Sequence, residues 1–365
     1  LIEVGGIQLY MGPTALGAPD DLEAVVKTFI DDAEESLFVA VQEIDSRVIA
    51  EAIIAARQRG VNVKVILEGD YLWEEKARAE PWVEYAGTTS HEDNRRIMNA
   101  FLRARINVIS DLNDKIFHQK FMVRDAGYDR AAVLTGSTNF TLTDTGKNPG
   151  GNNLNHIVIL EGTSAVKQYQ AEFDRLRSGT FGDLHERVEP RPDEFRLGKV
   201  RVKPLFAPRH GPEMEIMKQM LKAKKSIDFA MFTFSNSSGI DDAMLRLATS
   251  VPKIRIRGVL DRVQGAAEWA PVPALKAAGV ELFTNAVGNG VRKIHHKLMV
   301  IDEQLVIVGS FNYTEPANTA NDENIVVLGD LEEDNVEARA NQSTLATFAL
   351  TEIERIITDL STPVQ

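Results

Sequence analysis

The chain has 365 residues, 44% of them hydrophobic and 26% charged, with a formal net charge of −12 and no cysteine. That length can bury a sizeable core in two domains or in one large duplicated one, and the composition is ordinary for a globular protein. Absent cysteines exclude disulfides, thiolate metal ligands and a cysteine nucleophile, and the acidic balance excludes a surface that binds polyanions as a whole.

The chain starts at Leu1 with no basic leader and no initiator methionine, which fits either a removed leader or a start inside a longer product. No apolar run reaches the roughly 18 residues that span a bilayer, so no transmembrane segment is expected. A soluble protein follows, cytoplasmic by preference, with an exported or periplasmic place left open. In chain order, the patterning predicts a helix over 22–33, a strand over 37–41, a helix over 46–59 ended by Gly60, and a strand over 63–67. An insertion near 71–100 holds Trp73, Trp82 and Tyr85. Strands over 120–123, 131–134 and 157–160 follow, with a turn around Gly127 and Tyr128.

Residues 179–204 are rich in proline, glycine and charge, and read as a linker. The same order of elements then recurs: helix 213–223, strand 227–231, helix 240–249, and strands 254–260, 297–301, 305–308 and 325–328. Alternating strands and helices argue for α/β layering. The reading is one half over 1–178 and a second over 205–365.

Both halves carry one chemical pattern. The first has His118 and Lys120, then Asp125, then Gly136-Ser137-Thr138-Asn139; the second has His295 and Lys297, then Asp302, then Gly309-Ser310-Phe311-Asn312. A phosphodiester resists attack because its two non-bridging oxygens share a negative charge. Without a metal, a site needs cations and neutral donors around those oxygens, an uncharged nucleophile, and an acid for the leaving oxygen. Histidine serves as nucleophile, base or acid because its pKa lies near neutrality. Lysine supplies positive charge and asparagine a neutral donor, both set in advance against charge developing on phosphorus. Residues i and i+2 of a strand share a face. His118 with Lys120, and His295 with Lys297, are therefore predicted to point into one cavity, with Asn139 and Asn312 brought alongside by the Gly-Ser turns. Asp125 and Asp302 stand at odd spacing from the histidines, on the opposite face, and read as structural.

Both blocks resemble the HxK…D…GSxN motif of the phospholipase D superfamily, most closely its bacterial nucleases. The second block matches without a gap; the first keeps every signature residue but has a longer spacer between Asp125 and Gly136. The resemblance covers roughly residues 20–178 and 205–355. It implies a pseudo-twofold duplicated α/β fold, two mixed β-sheets flanked by helices, with one active site at the interface of the halves. It also implies a metal-independent phosphodiesterase with no cofactor and no metal site, in which one histidine forms a phosphohistidine and the other protonates the leaving group. By that analogy His118 is the nucleophile and His295 the general acid and base, an order that pseudo-symmetry leaves open to exchange. Lys120, Lys297, Asn139 and Asn312 would bind the phosphoryl oxygens, with Ser137 and Ser310 in support.

Members of the family often place an acidic residue shortly after the asparagine, where it orients an imidazole. The second half supplies Glu323; aligned strands put Asn155 and His156 there in the first. A glutamate raises the pKa of the histidine it orients, whereas an asparagine fixes geometry without that shift. The two histidines are thus expected to rest in different protonation states. One chain holding both halves needs no second copy to complete its site.

A lone strand histidine is more often a packed residue than a catalyst, and His91, His185 and His210 are read that way. His296 points away from the motif's face. Histidines flanked by lysine, with no cysteine in the chain, do not suggest zinc. For substrate, a nuclease acting on DNA or RNA is the favoured reading. It rests on compactness, on the basic cluster Arg292-Lys293 and on overall likeness, against the acidic net charge. Lys253, Arg255, Arg257 and Arg262 fit a basic channel or a solvated mixed-charge surface equally, and the lack of a strongly apolar N-terminal segment counts against a lipid synthase. The alternative is a phospholipase D or transphosphatidylase acting on phospholipid. A catalytically silent phosphate-binding member comes third, because no signature residue is missing.

Overall fold

The computed structural model describes residues 1–72, 91–111, 113, 115–184 and 190–364. The expectations for Trp73, Trp82, Tyr85 and His185 lie outside these residues. Among the described residues, two sheets of nine strands share one order over most of their width. In the first, Ile7–Gly12, Asn152–Glu161, Ala132–Gly136, Lys120–Arg124, Ser36–Val41, Asn62–Leu67 and Asn107–Ser110 lie side by side. In the second, the same places go to Val200–Ala207, Glu323–Leu328, Leu305–Gly309, Lys297–Ile301, Ser226–Met231, Arg255–Leu260 and Glu281–Asn285. Both sheets are mixed: Ser36–Val41 runs parallel to Asn62–Leu67 and antiparallel to Lys120–Arg124, and Ser226–Met231 has the same two relations.

These strands read as continuous apolar runs because helices cover both faces. One core joins the inner faces of both sheets through two helices, Thr163–Arg177 and Val336–Leu360; Phe121 and Val158 meet Tyr169 and Phe173 there, and Leu298 and Val326 share it with Leu345 and Ile353. A second core lies under Leu22–Asp31 and Arg47–Gln58, a third under Pro212–Met220 and Ile240–Ala248. Helix starts follow local chemistry: the side chain of Asp21 accepts from Ala24 N–H and that of Ser46 from Ile49 N–H. Among the described residues, no helix is long and apolar enough to cross a membrane.

Two features were not visible in the apolar patterning. Within the stretch read as a linker, Phe195–Leu197 pairs with Val200–Ala207 on the edge of the second sheet, repeating the hairpin of Ile2–Val4 with Ile7–Gly12. Lys203 and Pro204 interrupt the apolar run there. The halves are also stitched together. Val291–Ile294, from the second half, pairs in parallel with residues 152–154 of the first, and Phe117 bridges to Asp322 in return. Each bridge stands directly before a motif histidine.

Candidate active site

Strand alternation sorts the polar residues of the interface onto two faces. Met122 packs in the outer core of the first half, while Phe121 and Val123 enter the shared core. Lys120 therefore projects to the outer side and Gln119 to the inner one. The second half repeats this with Met299 outside and Leu298 and Val300 inside. His118 and His295 are 7% and 5% exposed and line one cleft of about 630 Å³ together with Asn139 and Asn312.

Each motif histidine is held by the opposite half. His118 N–H donates to Asp322 O at 2.9 Å, and its Nδ1 meets Glu323 Oε2 at 2.6 Å. His295 N–H donates to Leu154 O at 3.0 Å, and its Nδ1 meets Asn155 Oδ1 at 2.9 Å. One strand of each half thus fixes both backbone and ring of the other half's histidine. Ser310 Oγ donates to Glu323 Oε2 at 2.6 Å and Ser137 Oγ to Asn155 Oδ1 at 2.8 Å. The Asn155 amide nitrogen faces the carbonyls of Asp144 and Asn153, which turns its oxygen toward His295. An amide oxygen only accepts, so His295 carries its neutral-state proton on Nδ1. A carboxylate braces each approach: Glu68 Oε2 accepts from Phe117 N–H at 2.7 Å, and Asp261 Oδ2 from Ile294 N–H at 3.2 Å.

Lys120 Nζ donates to His118 O at 2.9 Å and to Gln42 Oε1 at 3.0 Å; Lys297 Nζ donates to His295 O at 2.9 Å and lies 5.2 Å from the Phe232 ring centroid. Burial pulls Lys120 down to about 8, and lowers Lys297 well below the usual lysine range with Lys120 adding to it. The amide oxygens of Asn139 and Asn312 are buried without a hydrogen-bond partner, at symmetric places on the cleft. Buried polar atoms are nearly always satisfied, so these oxygens await a donor, and it is the amide nitrogens that would face an anionic group. Glycine is required at the head of each turn: Gly136 and Gly309 have φ of +152° and +148°, and a Cβ would lie 2.3 Å from His156 O and 2.2 Å from Asn324 O.

Asp125 and Asp302 sit away from the cleft. Asp125 accepts from the amides of Glu34, Glu35 and Ser36, and Asp302 from those of Lys224, Lys225 and Ser226. Burial governs both motif histidines. Burial, then Lys120 and Lys297, hold His118 well below the usual range, and burial with Lys297 and Lys120 does the same for His295. Burial instead pushes Glu323 up to about 8.

Asp144 was missed by sequence reasoning. Its Oδ2 accepts from Asn139 N–H at 2.8 Å and lies 3.6 Å from His295 Nδ1. It stands on the short helix Leu142–Thr145, and Ala317 takes its place in the second half, so the repeat carries no trace of it. On the inner face, Asn324 Nδ2 donates to Gln119 Oε1 at 2.7 Å, and the symmetric position holds His156 and His296, with Nδ1 atoms 3.1 Å apart. In the basic stretch before the second motif, Arg255 and Arg257 both bind Asp228, and Arg257 also meets Glu354, so these two are charge-paired. Lys293 does line the cleft. His91 stacks on Tyr71 at 3.9 Å, and His210 is buried, with Nδ1 accepting from Phe206 N–H.

The family model described as cardiolipin synthase, PLD-like domain, matches residues 26–177 and again 216–342. A mitochondrial cardiolipin hydrolase of Chlamydomonas reinhardtii is 32% identical over 108 residues, 30% of this chain and 46% of that protein. A phospholipase D of Rickettsia conorii is 29% identical over 139 residues, 37% of this chain and 65% of that protein. The chain thus spans about half to two thirds of the length of these curated relatives. The crystal structure of phosphatidylserine synthase from Haemophilus influenzae Rd KW20 shares the fold, with a TM-score of 0.65 at 12% identity, over 100% of this chain and 88% of that one. Each matched segment holds one His-x-Lys block, and the chain belongs to the cardiolipin synthase-type PLD-like family of the phospholipase D superfamily.

Proposed function

We propose that the chain is a metal-independent phosphodiesterase that works through a phosphohistidine and takes phospholipid as its substrate. The observation that carries the chemistry is the exchange across the halves, which holds His118 and His295 by Nδ1 and turns both rings into one cleft with two lysines and the side-chain amides of Asn139 and Asn312. With Nδ1–H engaged by Glu323, the Nε2 lone pair of His118 attacks phosphorus. The bond from phosphorus to the leaving oxygen breaks as His295, entering as the imidazolium with Nδ1–H on Asn155, donates its Nε2 proton to that oxygen and is left neutral. Water then attacks the phosphohistidine and gives its proton to His295; the P–N bond breaks and a phosphomonoester leaves. An alcohol in place of water gives transfer. Lys120, Lys297, Asn139 and Asn312 counter the charge on the phosphoryl oxygens throughout, and Ser137 and Ser310 hold Asn155 and Glu323 in place.

The lipid assignment is supported by the family description and by the names of the curated relatives. It is preferred to the nuclease reading, whose candidate channel has Arg255 and Arg257 paired with the buried carboxylate of Asp228.

The test is turnover in excess EDTA of a chromogenic phosphodiester, short-chain phospholipids, and single- and double-stranded DNA and RNA, beside His118→Ala and His295→Ala. EDTA-resistant release of phosphomonoester from phospholipid, lost in both variants, is expected. Abolition by EDTA would refute the metal-free route, and cleavage of nucleic acid alone would refute the lipid assignment.

A further inference from the structure

The halves line the cleft differently at one pair of equivalent positions. Two residues before His118 stands Ile116; two before His295 stands Lys293. Ile116 is 47% exposed, whereas Lys293 is half-buried with its ammonium 5.1 Å from the Phe232 ring centroid. The residue equivalent to Phe232 is Gln42, which is tied to Lys120 and Tyr71 and offers no ring. Phe232 also lies 5.2 Å from the His295 ring, and Trp269, 40% exposed, lines the same cleft.

The three cleft lysines are therefore not alike. Lys120 and Lys297 spend donors on the histidine carbonyls. Lys293 has no carboxylate within ion-pairing distance among the described residues, and its ammonium rests on an aromatic face. The carboxylates lining the cleft are engaged elsewhere: Glu43 lies 3.5 Å from His91, and Glu315 accepts from Thr319. A cation seated on a ring keeps its donors for an incoming anion, and burial strengthens that pairing.

We propose that Lys293, Phe232 and Trp269 form a leaving-group subsite for an alcohol that bears a second anionic group beyond the scissile phosphodiester. The subsite flanks His295, so the assignment rests on reading that histidine as the acid for the leaving oxygen. The first-half wall offers Ile116 at the equivalent position and, among the described residues lining the cleft, no matching cation, which makes the subsite one-sided. An alcohol ending in phosphate or carboxylate is favoured there over one ending in a quaternary ammonium.

Two measurements test it. In binding by calorimetry, glycerol 1,3-bisphosphate should bind at least about tenfold more tightly than glycerol 3-phosphate. Lys293→Met should erase that ratio and Lys293→Arg retain it. In turnover, the ratio of kcat/KM for short-chain phosphatidylglycerophosphate to that for phosphatidylcholine, in the same mixed micelles, should fall about tenfold or more in Lys293→Met and invert in Lys293→Glu. Unchanged ratios in folded variants would overturn the subsite. If no diester turns over, the phosphodiesterase reading fails while the bisphosphate ratio still decides the subsite. A Lys293-dependent preference seen with a 5′-phosphorylated dinucleotide but not with the glycerol bisphosphate would overturn the lipid headgroup as its occupant.

Discussion

The imidazole of His118 and the carboxylate of Glu323 meet at 2.6 Å, although one comes from each half of the chain. His295 meets the Asn155 amide instead, at 2.9 Å. An amide fixes the ring without adding charge, whereas a carboxylate also stabilises an imidazolium. Burial pushes Glu323 up to about 8 and holds His118 neutral. Above that pH Glu323 can only accept, which keeps the ring proton on Nδ1 and leaves Nε2 free to attack; a protonated carboxyl can instead donate to Nδ1 and move the ring proton to Nε2.

The rate on a chromogenic diester should therefore rise with pH and level off above about 8. The apparent value belongs to the histidine–glutamate pair rather than to either group. Glu323→Gln should remove that rising limb and lower kcat by about 10²- to 10⁴-fold. A pH–rate profile of the variant that keeps the limb would assign it to another group.

On the other side, Asp144 stands 3.6 Å from His295 Nδ1; burial raises its pKa, and when ionised it supplies the negative charge that Asn155 lacks. His295 is already held well below the usual range by burial and by Lys297. Removing the carboxylate leaves Lys297 less opposed, so the ring holds a proton still less readily and becomes a poorer donor. Asp144→Asn keeps an acceptor for Asn139 N–H. It should slow release of choline, a poor leaving group, by about 10- to 100-fold, and change release of p-nitrophenolate, which leaves without a proton, by less than about threefold. Equal losses on both substrates would reduce Asp144 to an anchor for Asn139.

How far the sequence foretold this arrangement depended on whether a residue had a partner in the repeat. Doubling exposed the strands around His118 and His295, and aligning them set Glu323 against Asn155. It did not show that each orients the histidine of the other half, because the crossing is made by two short bridges, at Val291–Ile294 and at Phe117. Four residues such as Val291-Arg292-Lys293-Ile294 read as a basic cluster; their pairing with the first sheet depends on a tertiary neighbour that local periodicity does not encode. Asp144 was invisible for the converse reason, having Ala317 as its counterpart. Glu68 and Asp261 differ in kind and follow strand ends, where a carboxylate reads as a turn residue.

Asp125 and Asp302 are expected to matter for folding rather than for chemistry. Asp125 is fully buried and gathers three amides and Arg130, whose Nε donates to it at 2.9 Å. Burial alone would raise its pKa, but those amides and Arg130 together hold it below the ordinary value. The stability it gives is then complete above about pH 4 and is lost as pH falls below that. Urea denaturation should show Asp125→Ala losing about 3–5 kcal/mol at neutral pH, with a shallower acid limb. Asp302→Ala should lose about 2–4 kcal/mol. A collapse of kcat with stability intact, in either variant, would contradict the structural reading.

The inner-face pair makes the last prediction. His156 Nε2 accepts from Gly309 N–H at 3.1 Å, so its neutral-state proton sits on Nδ1, facing His296 Nδ1 at 3.1 Å. His296 must then accept at Nδ1 and carry its own proton on Nε2, 3.6 Å from Glu352 Oε1, which Arg355 also holds. Charging either ring adds a donor where the chain of contacts needs an acceptor. Burial lowers both pKa values below the unfolded one, so the unfolded chain binds more protons as pH falls through about 6.5, and the pair's stability is present above that and lost below. Gln119 and Asn324 fill the symmetric place with an uncharged hydrogen bond. Replacing the histidines by His156→Asn with His296→Gln should therefore hold stability within about 2 kcal/mol at pH 7.5, where His156→Ala alone should lose about 2–4 kcal/mol. Between pH 6.5 and 5 the double variant should lose stability less steeply than the wild type, by up to about 1.4 kcal/mol per pH unit for each histidine removed. His118 and His295 titrate in both proteins and cancel in the comparison, so parallel stability curves would show that the inner pair is not the acid-sensitive element of the interface.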